Sequence, residues 1–154
     1  MRIRYKKIEH EDGVEVKTPI RANPSDAGLD VFYAGSEEII IEPLQNCPVP
    51  TRLSFEIPHG YMLQVCNRSS MGAKRCLVVG AHIIDSGYSG EVFIDLHNIG
   101  KENQVILPGD KIAQLILVPV VHFIPVEVEE RIALYDYPVT ISNRGEGSLG
   151  STGS

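Results

Sequence analysis

The stretch IIDSGYSGEV carries an apolar run, Ile83 and Ile84, straight into the carboxylate of Asp85, with Tyr88 set between Gly87 and Gly90. A carboxylate held at a strand end, partly shielded from water, suits a general base, a role worth roughly 10²–10⁴ in rate. An aromatic ring on the turn behind it offers a flat face to a ligand. The same residues also fit a plain hairpin with its polar side chains in water. A second constellation, NRSSMG, brings Arg68, Ser69 and Ser70 together ahead of Gly72 where a short helix is expected to start. A guanidinium fork beside helix amides suits phosphate oxygens, whereas two serines in that place can equally be a helix cap. In DAGLDVFYA, Gly28 sits in a turn and Asp30 at a strand start. Gln114 is the polar exception in the apolar run KIAQLIL, and is expected to satisfy a neighbouring backbone group.

The segments that must position these residues are short and β-like. RIRYKK, DVFYA, EIIIEP, RLSFEI, YMLQVCN, CLVVGAHIID, EVFIDLHN, NQVIL, KIAQLILVPV and HFIPVEVEE each read as one strand. Turn signals such as NPSDAG, IPHG, DSGYSG and LPGD separate them, and 14 glycines and 10 prolines supply the punctuation. SSMGAKR offers at most a turn or two of helix. Many short strands at close spacing predict an all-β barrel or sandwich. From Ser142 the chain changes to SNRGEGSLGSTGS, which cannot bury enough apolar surface to order itself and reads, alone, as a flexible tail. The expected division is therefore 1–141 and 142–154.

With 154 residues, 43% hydrophobic and 22% charged, the composition fits one soluble domain with a real core. No run approaches the roughly 18 apolar residues of a membrane span, and no signal peptide opens the chain, so a cytoplasmic protein (host or virus-infected cell) is expected. The net charge of −6 argues against a nucleic-acid-binding surface but permits a small anion held by local arginines. Cys47, Cys66 and Cys76 follow no ligand spacing, and the five histidines are scattered, so no protein-built metal site is expected.

In chain order, DAGLDVFYA, RSSMG, IIDSGYSGEV, GDKIAQLIL and RGEGSLGSTG resemble the five motifs of the trimeric dUTP pyrophosphatases, the dUTPases, from residue 26 to the end. The resemblance implies a jelly-roll-like β fold, a homotrimer, and active sites shared between subunits, with the glycine-rich arm of one closing over a neighbour. It implies hydrolysis of dUTP to dUMP and pyrophosphate. Asp85 would position and deprotonate the water that attacks the α-phosphorus. Tyr88 would pack on the deoxyribose where a 2′-hydroxyl would clash, held by Gly87 and Gly90. Arg68, Ser69, Ser70, Gly72 and Gln114 would serve the α- and β-phosphates, and His82 and Ile84 the base. Arg144, with the amides and hydroxyls around Gly145, Gly147, Ser148, Ser151 and Thr152, would clamp the β- and γ-phosphates. Asp30 would anchor the lid arginine or the water shell of the metal, or serve only the turn and strand start. Mg2+ would be held by triphosphate and water rather than by a protein cage.

Three positions depart from the family pattern. Leu149 stands where an aromatic usually stacks on uracil, Asn67 replaces a common proline, and His82 replaces a glycine. His82 also leans toward the related dCTP deaminases, in which case Asp95 would take the place of their water-activating glutamate. Ala73 stands where those enzymes carry a further arginine. A dCTP deaminase, a bifunctional relative, and a non-catalytic nucleotide-binding module therefore stay open at this point.

Overall fold

The computed structural model describes residues 1–129. It divides at His122 and Phe123 into two compact units, the first of them Met1–His122. The expected boundary at 141/142 lies outside the described residues.

Unit one holds eleven strands and one short helix: β1 Arg4–Lys7, β2 Leu29–Phe32, β3 Ile39–Ile41, β4 Asn46–Pro50, β5 Leu53–Glu56, β6 Tyr61–Cys66, α1 Ser69–Arg75, β7 Leu77–Val79, β8 Ile83–Ile84, β9 Phe93–Asn98, β10 Gln104–Ile106 and β11 Lys111–Pro119. Two sheets carry the architecture, ordered β2-β11-β6-β8 and β4-β9-β7, with the pairs β1-β5 and β10-β3 beside them. This is the expected jelly-roll-like, nearly all-β fold. The core lies between the sheets and is apolar, with Val31, Val49, Leu53, Leu77, Ile94, Leu96, Ile106, Ile112, Ala113 and Leu115 almost wholly buried. Strict alternation puts Ile94, Leu96 and Asn98 of β9 inside and Phe93, Asp95 and His97 on its outer face. Asn98 is tolerated there because its amide donates to Ile41 O and Glu102 O, and its Oδ1 accepts from Gly100 N.

Three segments differ from the sequence expectation. CLVVGAHIID is not one strand: it breaks at Gly80 into β7 and β8, which belong to different sheets. A Cβ on Gly80 would come within 2.5 Å of Asp95 Oδ2 and nearer still to His97 Nε2, so any larger residue would have to push these side chains aside where the chain passes β9 and crosses between sheets. Asn46–Pro50, unmarked by pattern, is a strand; its two prolines are compatible with the edge position of β4, where a missing N–H costs no ladder bond. HFIPVEVEE forms no strand over its described residues, 122–129, where Phe123, Ile124 and Val126 stay exposed.

A bulge in β11 sets the geometry around Asp30. Lys111 faces Phe32 and Ala113 faces Val31, so Ile112 is an extra residue against β2. The bulge buries Ile112 and Ala113 consecutively, and it lets Lys111 and Gln114, three residues apart, serve one neighbourhood on β2.

Candidate active site

The residues singled out by sequence gather in two groups. The first surrounds Asp30, which sits on β2 directly across from Gln114 of β11. Arg68 Nε donates to Asp30 Oδ1 at 2.9 Å, and Lys111 Nζ lies 2.8 Å from Asp30 Oδ2. One carboxylate thus holds two cations in a partly desolvated setting, where charge-assisted bonds are strong. Arg68 Nη1 reaches Lys111 O at 3.3 Å and Ser70 Oγ at 3.5 Å. These contacts engage Nε and Nη1 and leave Nη2 without a contact among the described residues. Asp30 therefore binds Arg68 and Lys111; Arg144, one of the partners the resemblance implies for it, lies outside the described residues.

Gln114 Nε2 donates to Asn67 O at 2.9 Å, the backbone duty expected of it. Gly28 is required beside it, since a Cβ there would lie 2.5 Å from Gln114 Oε1. Asn67 in turn accepts the Val79 N–H, fixing the turn that ends β6. The serines do not cap the helix: Arg68 is the N-cap residue of α1, in extended backbone, and no side-chain cap bond forms. Ser69 is exposed and Ser70 half-buried. Gly72 lies inside α1 with its amide engaged by Arg68 O, so that amide is not available to a ligand. Lys111 was missed by the sequence reading; the only signal for it is a lone cation at the head of an apolar strand.

The second group is the hairpin beyond β8. Tyr88 N donates to Asp85 O, closing a turn whose third residue, Gly87, has φ 87°, the left-handed region that glycine enters freely. The Tyr88 ring folds back over Gly90, where a Cβ would lie 2.5 Å from the phenol oxygen. Asp85 and Tyr88 line a cavity of about 240 Å3 together with Ile83, Ile84, Glu91 and Phe93. Phe93 and Tyr88 are each about half exposed, at 49% and 48%, an unusual expense of aromatic surface for a chain standing alone. Phe93 and Glu91 are further residues that sequence reasoning missed. The signal for Phe93 was available, since it alternates out of phase with Ile94 and Leu96.

His82 is exposed, donates nothing to this cavity, and serves through its carbonyl, which accepts the Val65 N–H. Asp95, the carboxylate a deaminase would need, is not among the residues lining the cavity beside Asp85. Its Oδ1 accepts from Asn46 Nδ2 and its Oδ2 lies 2.8 Å from His97 Nε2. Burial pushes the Asp95 carboxyl up, but the bonds from Asn46 and His97 outweigh it and hold it below the usual range. Asp95 is thus paired with Asn46 of β4 and His97 of β9, within its own sheet. Among the described residues no three His, Cys, Asp or Glu side chains converge on a point where a metal ion could sit. Burial raises the thiols of Cys47 and Cys66, which makes them poor nucleophiles. Arg144, Gly145, Gly147, Ser148, Leu149, Ser151 and Thr152 lie outside the described residues.

The two groups are far apart within one chain. Ile84 pairs with Leu63 in antiparallel register, so Asp85 comes level with Met62 near the start of β6, while Arg68 lies two residues beyond its end at Cys66. Met62 and Arg68 are six positions apart, four of them along β6, a backbone span of at most roughly 20 Å at ~3.3 Å per residue.

The profile described as dUTPase matches residues 14–153. A deoxyuridine 5′-triphosphate nucleotidohydrolase of Anaplasma marginale (strain St. Maries) is 35% identical over 154 residues, covering 99% of each chain. One of Zymomonas mobilis is 36% identical over 155 residues, covering 99% of this chain and 98% of its own. Among solved structures, a mutant Staphylococcus bacteriophage 80alpha dUTPase with dUpNHpp superposes with a TM-score of 0.83 at 27% identity over 99% of both chains. A mutant dUTPase from phage phi11 of S. aureus, whose structure reveals the coordination of a structural Mg(II) ion, gives 0.74 at 26% identity over 84% of this chain and 98% of its own. With a profile spanning the motifs from residue 14 onward and relatives aligned end to end, the chain belongs to the dUTPase family.

Proposed function

We propose that the chain is a dUTP diphosphatase that converts dUTP to dUMP and pyrophosphate. The observation that carries this reading is the joint lining of one cavity by Asp85 and Tyr88. In it the Asp85 carboxylate takes a proton from the attacking water, which strikes the α-phosphorus in line with the leaving pyrophosphate. The Tyr88 ring stacks on the deoxyribose and excludes a 2′-hydroxyl, while Ile84 and Phe93 border the base.

Arg68, Ser69, Ser70 and Gln114 donate to the α- and β-phosphates. Asp30 holds Arg68 by its Nε edge, which frees Nη2 for a phosphate oxygen. These donors stand roughly 20 Å from Asp85 of the same chain, so a working site takes them from a second copy. A homotrimer with sites at its subunit boundaries meets that need. Arg144, with Gly145, Gly147, Ser148, Ser151 and Thr152, clamps the outer phosphates, because glycine-rich backbone lets amides approach an anion closely. Leu149 covers the base with less contact than an aromatic, whose stacking is worth roughly 1–3 kcal/mol. Mg2+ would be held by the triphosphate and water, and would supply neutralisation of the leaving pyrophosphate.

The test is to incubate the protein with each deoxynucleoside triphosphate and Mg2+ and assay pyrophosphate and ammonia separately. Pyrophosphate from dUTP, abolished by Asp85→Asn with nucleotide binding retained, is the expected result. Wild-type turnover by Asp85→Asn, or ammonia from dCTP, would overturn it.

A further inference from the structure

We propose that Glu91 is a positioning residue that fixes the Tyr88 ring and thereby sets the discrimination between deoxyribo- and ribonucleotides. The inference rests on the dUTP reading and names a residue through which the sugar check is held in place.

The Tyr88 ring is nearly half exposed and reaches into open space on both sides, so packing alone does not set its angle. Its phenol O–H donates to the backbone carbonyl of Glu91 at 2.8 Å. The ring stands wherever that carbonyl stands. Glu91 is held by its own side chain: Oε1 accepts the backbone N–H of Arg52 at 2.8 Å. Glu91 lines the cavity that contains Asp85, and its carboxylate is engaged as an acceptor, which separates its duty from that of a base.

The donor is aimed by an unusual backbone. Arg52 has φ 52°, the left-handed region, which an arginine keeps only where its surroundings over-determine it. Those surroundings are present. Arg52 is 9% exposed, and its guanidinium grips the carboxylate of Asp12 with both nitrogens, Nη1 to Oδ1 at 2.7 Å and Nη2 to Oδ2. On either side the same two segments are sewn together by Ser54 Oγ to Ser89 O at 2.9 Å and Thr51 Oγ1 to Val92 O at 2.6 Å. Asp12, Arg52, Glu91 and Tyr88 thus form one continuous chain of contacts from the amino-terminal segment to the hairpin.

The experiment measures kcat and KM for dUTP and UTP, by pyrophosphate release, on full-length wild type, Glu91→Ala, Glu91→Gln, Tyr88→Phe and the double variant, with a melting curve for each. Glu91→Gln keeps an Oε1 acceptor and is expected to retain wild-type selectivity. Glu91→Ala is expected to lower the dUTP/UTP ratio of kcat/KM by about tenfold, the scale of one lost hydrogen bond, mainly through KM for dUTP. Tyr88→Phe removes the donor and should show the same loss, with no further loss in the double variant. Unchanged selectivity in Glu91→Ala with a lowered Tm would overturn the inference, leaving only a structural role. Should Glu91→Ala not fold, full selectivity in Tyr88→Phe overturns it equally. A wild-type protein inactive on dUTP would instead remove the functional reading on which it rests.

Discussion

Asp85 and Arg68 stand at opposite ends of the β6 ladder, Asp85 one step past the Ile84–Leu63 pair and Arg68 two residues beyond Cys66. On the proposed reading the two meet in one site only when they come from different copies. Asp85→Asn and Arg68→Ala homomers should each be inactive, yet co-refolded at equal amounts they should recover activity at about a quarter of sites, those drawing each wild-type residue from a different copy. Pyrophosphate assays on the mixture check this, with size-exclusion light scattering expected to report trimers.

Asp30 holds both Arg68 and Lys111, at 2.9 and 2.8 Å. Asp30→Ala leaves two like charges together without their anion. A loss of about 1–3 kcal/mol in urea unfolding is expected, the scale for hydrogen bonds to charged groups, with a raised KM for nucleotide.

Gly80 passes β9 where a Cβ would press into the Asp95–His97 pair. Gly80→Ala should cost about 1–3 kcal/mol by overpacking. Melting curves with and without His97→Ala check the cause, since removing the ring should relieve most of the loss.

Acid should weaken the Arg52–Asp12 contact in a defined window. The hydrogen bonds from Arg52 hold the Asp12 carboxyl far below the usual carboxylate range. A depressed folded pKa means stability that is present above the unfolded value of about 3.9 and drains away as pH falls below it. Wild type should therefore lose stability below about pH 4 more steeply than Asp12→Asn, which starts lower at pH 7. Urea titrations at pH 7 and pH 3 decide it.

Much of the fold was legible because the apolar runs of β2, β5, β6, β9 and β11 carry their own periodicity. What failed was context. CLVVGAHIID looks continuous because nothing in its letters reveals His97 and Asp95 waiting across Gly80. NCPVP looks unlike a strand because its prolines are permitted only by an edge position that pairing decides. HFIPVEVEE alternates as a strand should, yet its described residues, 122–129, pair with no strand among the described residues, and a strand exists only where another lies beside it.

The same division runs through the site. Residue types and order determined the chemistry on offer: a carboxylate and an aromatic on one turn, an arginine with serines on another, and a family to which they belong. Tertiary structure alone decided which groups meet. The bulge at Ile112 brings Lys111 and Gln114 to Asp30, the left-handed backbone of Arg52 aims an amide at Glu91, and the register of β8 on β6 parts Asp85 from Arg68. Such pairings join residues tens of positions apart, and their energies depend on distances that no local pattern of residues encodes.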